Sequence, residues 1–132
     1  SEAYGMFTEG EADMVLSYTT SPAYHIIAEN DETKSAANFD EGHYMQIEVA
    51  AKLSSSKNPE LADKFLQFMT SDGFQSIIPT TNWMYPAVLP TNGLPTGFEK
   101  LISPSKSLLI PSNKAQDARS EALSEWLTVL SQ

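Results

Sequence analysis

Asp13-Met-Val-Leu-Ser-Tyr-Thr-Thr-Ser-Pro-Ala-Tyr24 is the stretch on which the fold turns. Met14, Val15 and Leu16 form a short apolar run with β-branched content, which predicts a buried strand closed by Tyr18. The hydroxyl-rich Ser17-Tyr-Thr-Thr-Ser21 then leads into Pro22. A serine followed by proline reads as a helix start, because serine can cap free amides and proline fits the first helical position. Ligands of open α/β sheets settle beyond the carboxyl ends of strands, and helix amino termini attract anions. The corner flanked by Tyr18 and Tyr24 is therefore a candidate binding site. The same spacing also suits a plain strand–turn–helix connection whose two rings pack for area.

Outward from this corner, the chain alternates helices and short strands. Tyr4 and Phe7 stand at helical spacing, and Gly10 makes a natural stop. A helix runs from Pro22 to about Asn30, and Ala36–Phe39 reads as a short strand. From His43 to Leu53, Met45, Ile47, Val49 and Ala51 alternate with Tyr44, Gln46, Glu48 and Ala50, the period of a strand with one apolar face. Asn58-Pro59 starts a helix with Leu61, Phe65, Phe68 and Met69 as its stripe. Ser71 is placed to cap a second short helix that ends at Pro79. Thr80–Pro95 is loop, carrying Asn82-Trp-Met-Tyr-Pro86, and Gly97–Ile102 makes one helical turn. A final helix begins near Ser112 or Asn113 and presents Leu123, Trp126, Leu127 and Leu130 on its apolar side.

Composition narrows the function classes. The chain has 132 residues, 41% of them hydrophobic and 10% aromatic, enough for one modest domain with a core. Seventeen acidic against eight basic residues give a formal charge of −9. That argues against nucleic acid or an anionic membrane as partner. With no cysteine there is no disulfide, thiolate nucleophile or Cys-based metal site. No apolar run reaches the roughly 18 residues of a membrane span, and no signal peptide is seen.

No catalytic motif stands out. His25 and His43 would need distant carboxylates to build a zinc site. There is no Gly-x-Ser-x-Gly elbow, phosphate loop or dinucleotide fingerprint. Glu9/Glu11 and Asp40/Glu41 read as solvated turns. The aromatics Tyr18, Tyr24, Trp83 and Tyr85 lie at strand ends or in loops, where recognition residues concentrate. Such rings hold flat or cationic ligands, worth about 0.5–2 kcal/mol each once water is excluded. Trp83 could equally be a buried plug.

Gly10-Glu-Ala-Asp13, Asn58-Pro-Glu-Leu-Ala-Asp-Lys-Phe-Leu-Gln-Phe-Met69 and Phe74-Gln75 resemble the carboxyl-terminal half of extracytoplasmic solute-binding proteins. Leu16-Ser-Tyr-Thr-Thr-Ser-Pro-Ala-Tyr24, Glu41-Gly-His-Tyr44 and Ile78-Pro-Thr-Thr-Asn-Trp-Met-Tyr-Pro86 look more specifically like the thiamine-binding proteins of bacterial ABC importers. The resemblance covers essentially the whole chain.

It implies an α/β chain forming part of a type II periplasmic-binding fold. Residues 1–132 would be a carboxyl-terminal fragment contributing segments to both lobes of a two-lobed protein. The implied function is periplasmic, non-catalytic capture of thiamine or its phosphates for an importer's membrane permease. Tyr18, Tyr24 and Trp83 would be the ligand-binding rings, with no catalytic residue, metal or cofactor. The family's amino-terminal half, and a tryptophan that normally precedes the position of Ser1, are absent, so the fragment is expected to carry half a cleft and to self-associate. Alternatives are a binder of another cationic heterocycle, a polyamine or ferric ion, and a fragment of a thiamine-processing enzyme of related fold. An enzyme of that kind needs an activated nucleophile, which no cysteine here supplies.

Overall fold

The computed structural model describes residues 1–131. They divide into two compact units, each made of two separate stretches: Ser1–Asn38 with Glu48–Ser103, and Phe39–Ile47 with the chain from Pro104 onward.

The first unit opens with helix α1, Glu2–Thr8, capped by Ser1, whose hydroxyl accepts the Tyr4 N–H at 3.3 Å. Gly10, at φ +79°, carries the chain out of the helix. The expected buried strand Met14–Tyr18 does not form a ladder: the segment is irregular, and Met14 and Leu16 are each 83% exposed. An apolar run becomes a sheet strand only where another strand offers backbone partners and a covered face. Among the described residues nothing supplies them. Ala36–Phe39 likewise forms no strand.

Helix α2, Pro22–Tyr24, has proline at its first position as expected and continues into a π-helical turn, His25–Glu29. Ser21 does not cap it. Its backbone is already helical, at φ −56° and ψ −34°. Its hydroxyl turns back instead, accepting the Tyr18 N–H at 3.2 Å and meeting the Ser17 hydroxyl at 2.6 Å. At the far end Asn30 takes the left-handed conformation, φ 54°, and the amides of Asn30 and Asp31 both reach back to the His25 carbonyl.

Helices α3 (Pro59–Met69), α4 (Asp72–Gln75) and α5 (Ile78–Thr81) follow in close succession. Ser71 precedes α4 without a side-chain cap, and its hydroxyl is buried with no partner. Pro79 opens α5 rather than ending its predecessor, because a helix tolerates proline in its first turn, where the missing N–H has no acceptor to reach. A single 3₁₀ turn, Phe98–Lys100, matches the turn expected at Gly97–Ile102. Gly97 is required there: at φ +111°, a β-carbon would come within 3.0 Å of both Ile26 and Ile27. Thr20, Ala23, His25, Gln75, Pro79 and Phe98 are buried, a small and partly polar core. The α3 stripe of Leu61, Phe65 and Phe68 remains exposed.

In the second unit β1 (His43–Tyr44) and β2 (Ser107–Leu108) pair in parallel, His43 opposite Ser107 and Tyr44 opposite Leu108. Gly42, at φ +108°, lets β1 approach the carbonyl of Lys106, which a β-carbon would meet at 2.8 Å. The expected strand to Leu53 stops here. Beyond Met45, whose amide bonds the Leu108 carbonyl at 2.8 Å, no ladder continues. Val49 and Ala51, which continue the alternation in the first unit's second stretch, are exposed, Val49 by 87%. The final helix, α6 (Ser112–Leu130), begins where the sequence placed it, and Leu123, Trp126, Leu127 and Leu130 lie exposed along it.

Candidate functional site

Tyr24, at the end of α2, and Trp83, just after α5, come together. Their ring centroids lie 5.3 Å apart with planes at 81°, an edge-to-face pair. The loop carrying Trp83 is held from α4. The buried Gln75 side chain donates to the Met69 carbonyl at 2.5 Å and accepts the Val88 N–H at 3.1 Å. Asp72 accepts the Thr91 N–H at 2.6 Å, and that bond draws its carboxyl below the usual range. Beneath the loop, the hydroxyl of buried Thr20 points at the Met84 sulfur, 3.9 Å away. Tyr85 packs edge-on against Phe98 at 5.7 Å, and burial raises its phenol. Trp83 itself sits at φ +54°, a left-handed conformation that costs a non-glycine residue energy.

Of the three ring candidates, the structure pairs Tyr24 with Trp83 and leaves Tyr18 outside any aromatic pair among the described residues. Tyr18 and Tyr24 are partly exposed, and Trp83 is half-buried. Trp83 is thus neither a buried plug nor a free surface ring.

A feature the sequence reading passed over lies directly behind Tyr24. His25 is 2% exposed, and both ring nitrogens are engaged. Nε2 meets the Tyr4 hydroxyl at 2.7 Å, and Nδ1 meets Glu29 Oε2 at 2.6 Å. The Tyr4 ring stacks on His25 at 5.9 Å, and Tyr24 meets it edge-on at 5.3 Å. Glu29 raises the Tyr24 phenol above its ordinary value of 10.0, first as hydrogen-bond acceptor and then by its charge. Tyr4 is raised as well, chiefly by burial. The available signal was His25 and Glu29 four residues apart, on one face of the turn.

His25, Glu29 and Asp31 each offer a donor atom within 4.8 Å of the others, so the carboxylates a metal would require are local rather than distant. All three are already engaged, Asp31 by the Thr33 amide and hydroxyl at 2.8 and 2.6 Å. His43 accepts the Phe39 N–H at 3.1 Å within the second unit. A recess of about 300 Å³ is lined by Pro22, Ile26, Lys34, Lys100 and Ile102, but by none of Tyr18, Tyr24 or Trp83. Its lysines are answered by acids: Lys100 by Glu32 at 2.5 Å and Lys34 by Asp31 at 3.9 Å.

Tyr24, ending α2, and Trp83, just after α5, thus form a partly exposed aromatic pair. Residues 1–76 match the bacterial extracellular solute-binding protein family, and the chain belongs to it. Among its relatives, the thiamine-binding periplasmic protein of Escherichia coli (strain K12) is 56% identical over 131 residues, 99% of this chain and 39% of that protein. The thiamine-binding periplasmic protein of Brucella abortus biovar 1 is 50% identical over the same span. A solved periplasmic thiamin binding protein superposes with a TM-score of 0.88 at 55% identity, covering 99% of this chain and 41% of that one. The α/β solute-binding fold is therefore shown, and the chain spans about two fifths of the length of these relatives.

Proposed function

We propose that the chain forms one wall of a periplasmic thiamine site, contributing to capture of thiamine or its phosphates for an ABC importer's membrane permease. The observation that carries this is the perpendicular, partly exposed Tyr24–Trp83 pair, in a chain 56% identical to a thiamine-binding periplasmic protein. Thiamine has a permanent thiazolium charge and a flat aminopyrimidine. An aromatic corner offers a π-face to the first and stacking area to the second. Tyr18, which precedes the same turn, is the third ligand ring. Binding is non-covalent, and none of the chain's side chains acts chemically on the ligand. In the complete protein the remaining contacts come from chain outside residues 1–132, with these residues serving as a carboxyl-terminal part of both lobes.

The test is a ligand-observed NMR titration of the chain with thiamine, with spermidine as the competing cation. Trp83→Ala weakens thiamine binding roughly five- to a hundredfold, the loss of about 1–3 kcal/mol expected of a stacking ring. Unchanged thiamine affinity in that variant removes Trp83 from the site. Tighter binding of spermidine than of thiamine reassigns the ligand to a polyamine.

A further inference from the structure

We infer that Tyr4 and Glu29 are positioning residues for the Tyr24 ring, acting on it through His25. The inference rests on reading Tyr24 as a ligand-contacting ring. Four side chains from three elements form one continuous chain of contacts. Tyr4 projects from α1, and its hydroxyl lies 2.7 Å from His25 Nε2. His25 belongs to the π-helical turn and meets Glu29 at 2.6 Å through its other nitrogen. His25 in turn meets the Tyr24 ring edge-on, with centroids 5.3 Å apart. With Nδ1–H donating to the carboxylate, Nε2 is left as acceptor for the Tyr4 hydroxyl, so one tautomer satisfies the ring completely.

The arrangement constrains Tyr24 on two sides. The His25 ring, itself buried and stacked on Tyr4, meets Tyr24 edge-on at 5.3 Å. The Trp83 ring meets it at the same centroid distance, with planes at 81°. Glu29 acts one step back, holding the His25 ring in place through Nδ1 at 2.6 Å. A tyrosine on an open surface turns about its side-chain torsions, and ordering it consumes binding free energy. A ring held from behind meets its ligand already oriented. The π-helical turn matters because backbone bonds from Asn30 and Asp31 to the His25 carbonyl set its geometry. Such turns recur at functional sites.

The experiment reads the Tyr24 ring directly. Aromatic NMR resonances of Tyr24 are assigned in the chain, where the edge-on Trp83 ring shifts them from random-coil values. Thiamine affinity and the urea midpoint are measured on the same samples. Tyr4→Phe and Glu29→Ala are expected to collapse the Tyr24 ring shifts and to weaken thiamine binding three- to tenfold. Glu29→Gln, which keeps an acceptor oxygen, should retain most of both. In a Tyr24→Ala background neither change should affect affinity further. Unmoved Tyr24 ring shifts in both Tyr4→Phe and Glu29→Ala overturn the inference. Shifts that collapse while Tyr24→Ala leaves thiamine binding unchanged uphold the positioning and overturn the ligand reading instead.

Discussion

At the scale of single residues, Trp83 carries a backbone cost at φ +54°. Its left-handed backbone is one that side chains other than glycine enter at about 1–2 kcal/mol. Glycine there removes the strain but adds freedom to the unfolded chain, about 0.5–1 kcal/mol. Trp83→Gly is therefore expected to unfold at the same urea concentration as Trp83→Ala or higher, although both lose the ring. Had Trp83 been a core residue in relaxed backbone, glycine would be the less stable of the two. Asp72 gives a second expectation. Its bond to the Thr91 amide lowers the folded-state pKa below 3.8. A lowered carboxyl pKa contributes stability above the unfolded value, lost as pH falls through the folded one. Asp72→Asn should lower the urea midpoint at pH 7, and the gap to the parent should close as pH falls through the lowered folded-state pKa. A gap unchanged across that range removes Asp72 from the acid response. Of the candidate site, Trp83 was legible as a ring outside any core stripe because it sits in a proline-flanked segment. Tyr24, by contrast, ends α2, and its pairing with Trp83 is a tertiary contact. The Tyr4–His25–Glu29 contacts were not legible, since joining α1 to the π-helical turn depends on a tertiary approach across 21 residues.

Among the elements, helices read well and strands poorly. Proline after an asparagine or serine marked the starts of α2 and α3, because that signal is local. Met14–Tyr18 and Met45–Ala51 have the apolar content of strands, yet a strand is completed only by a neighbour's backbone. Among the described residues only His43–Tyr44 found one, at Ser107–Leu108. The apolar faces of α3 and α6 have the right period but are exposed, so their side chains add little to this chain's own stability. Leu127→Glu on α6 and Phe65→Glu on α3 are each expected to change the urea midpoint by no more than about 0.5 kcal/mol in free-energy terms. Both should reduce binding of a hydrophobic-surface dye. A loss of 2 kcal/mol or more in either variant would place that side chain in a working core.

For the whole chain, the ligand expectation follows from the number of rings. Tyr18, Tyr24 and Trp83 at about 0.5–2 kcal/mol each amount to about 1.5–6 kcal/mol before any ordering cost. A millimolar dissociation constant corresponds to about 4 kcal/mol and a nanomolar one to about 12. Thiamine binding by this chain is therefore expected to be millimolar or weaker, although the chain aligns over 99% of its length with far longer thiamine-binding relatives. The same exposed faces favour association between copies, which could bring a second aromatic wall against the first. The titration is accordingly run at several protein concentrations, with light scattering on the same samples. Constant millimolar affinity from a monomer fits a single open wall. Affinity that strengthens in step with dimer formation shows that the second copy supplies missing contacts. Nanomolar affinity from a monomer would overturn the three-ring account, because such rings leave about half of the required free energy unexplained.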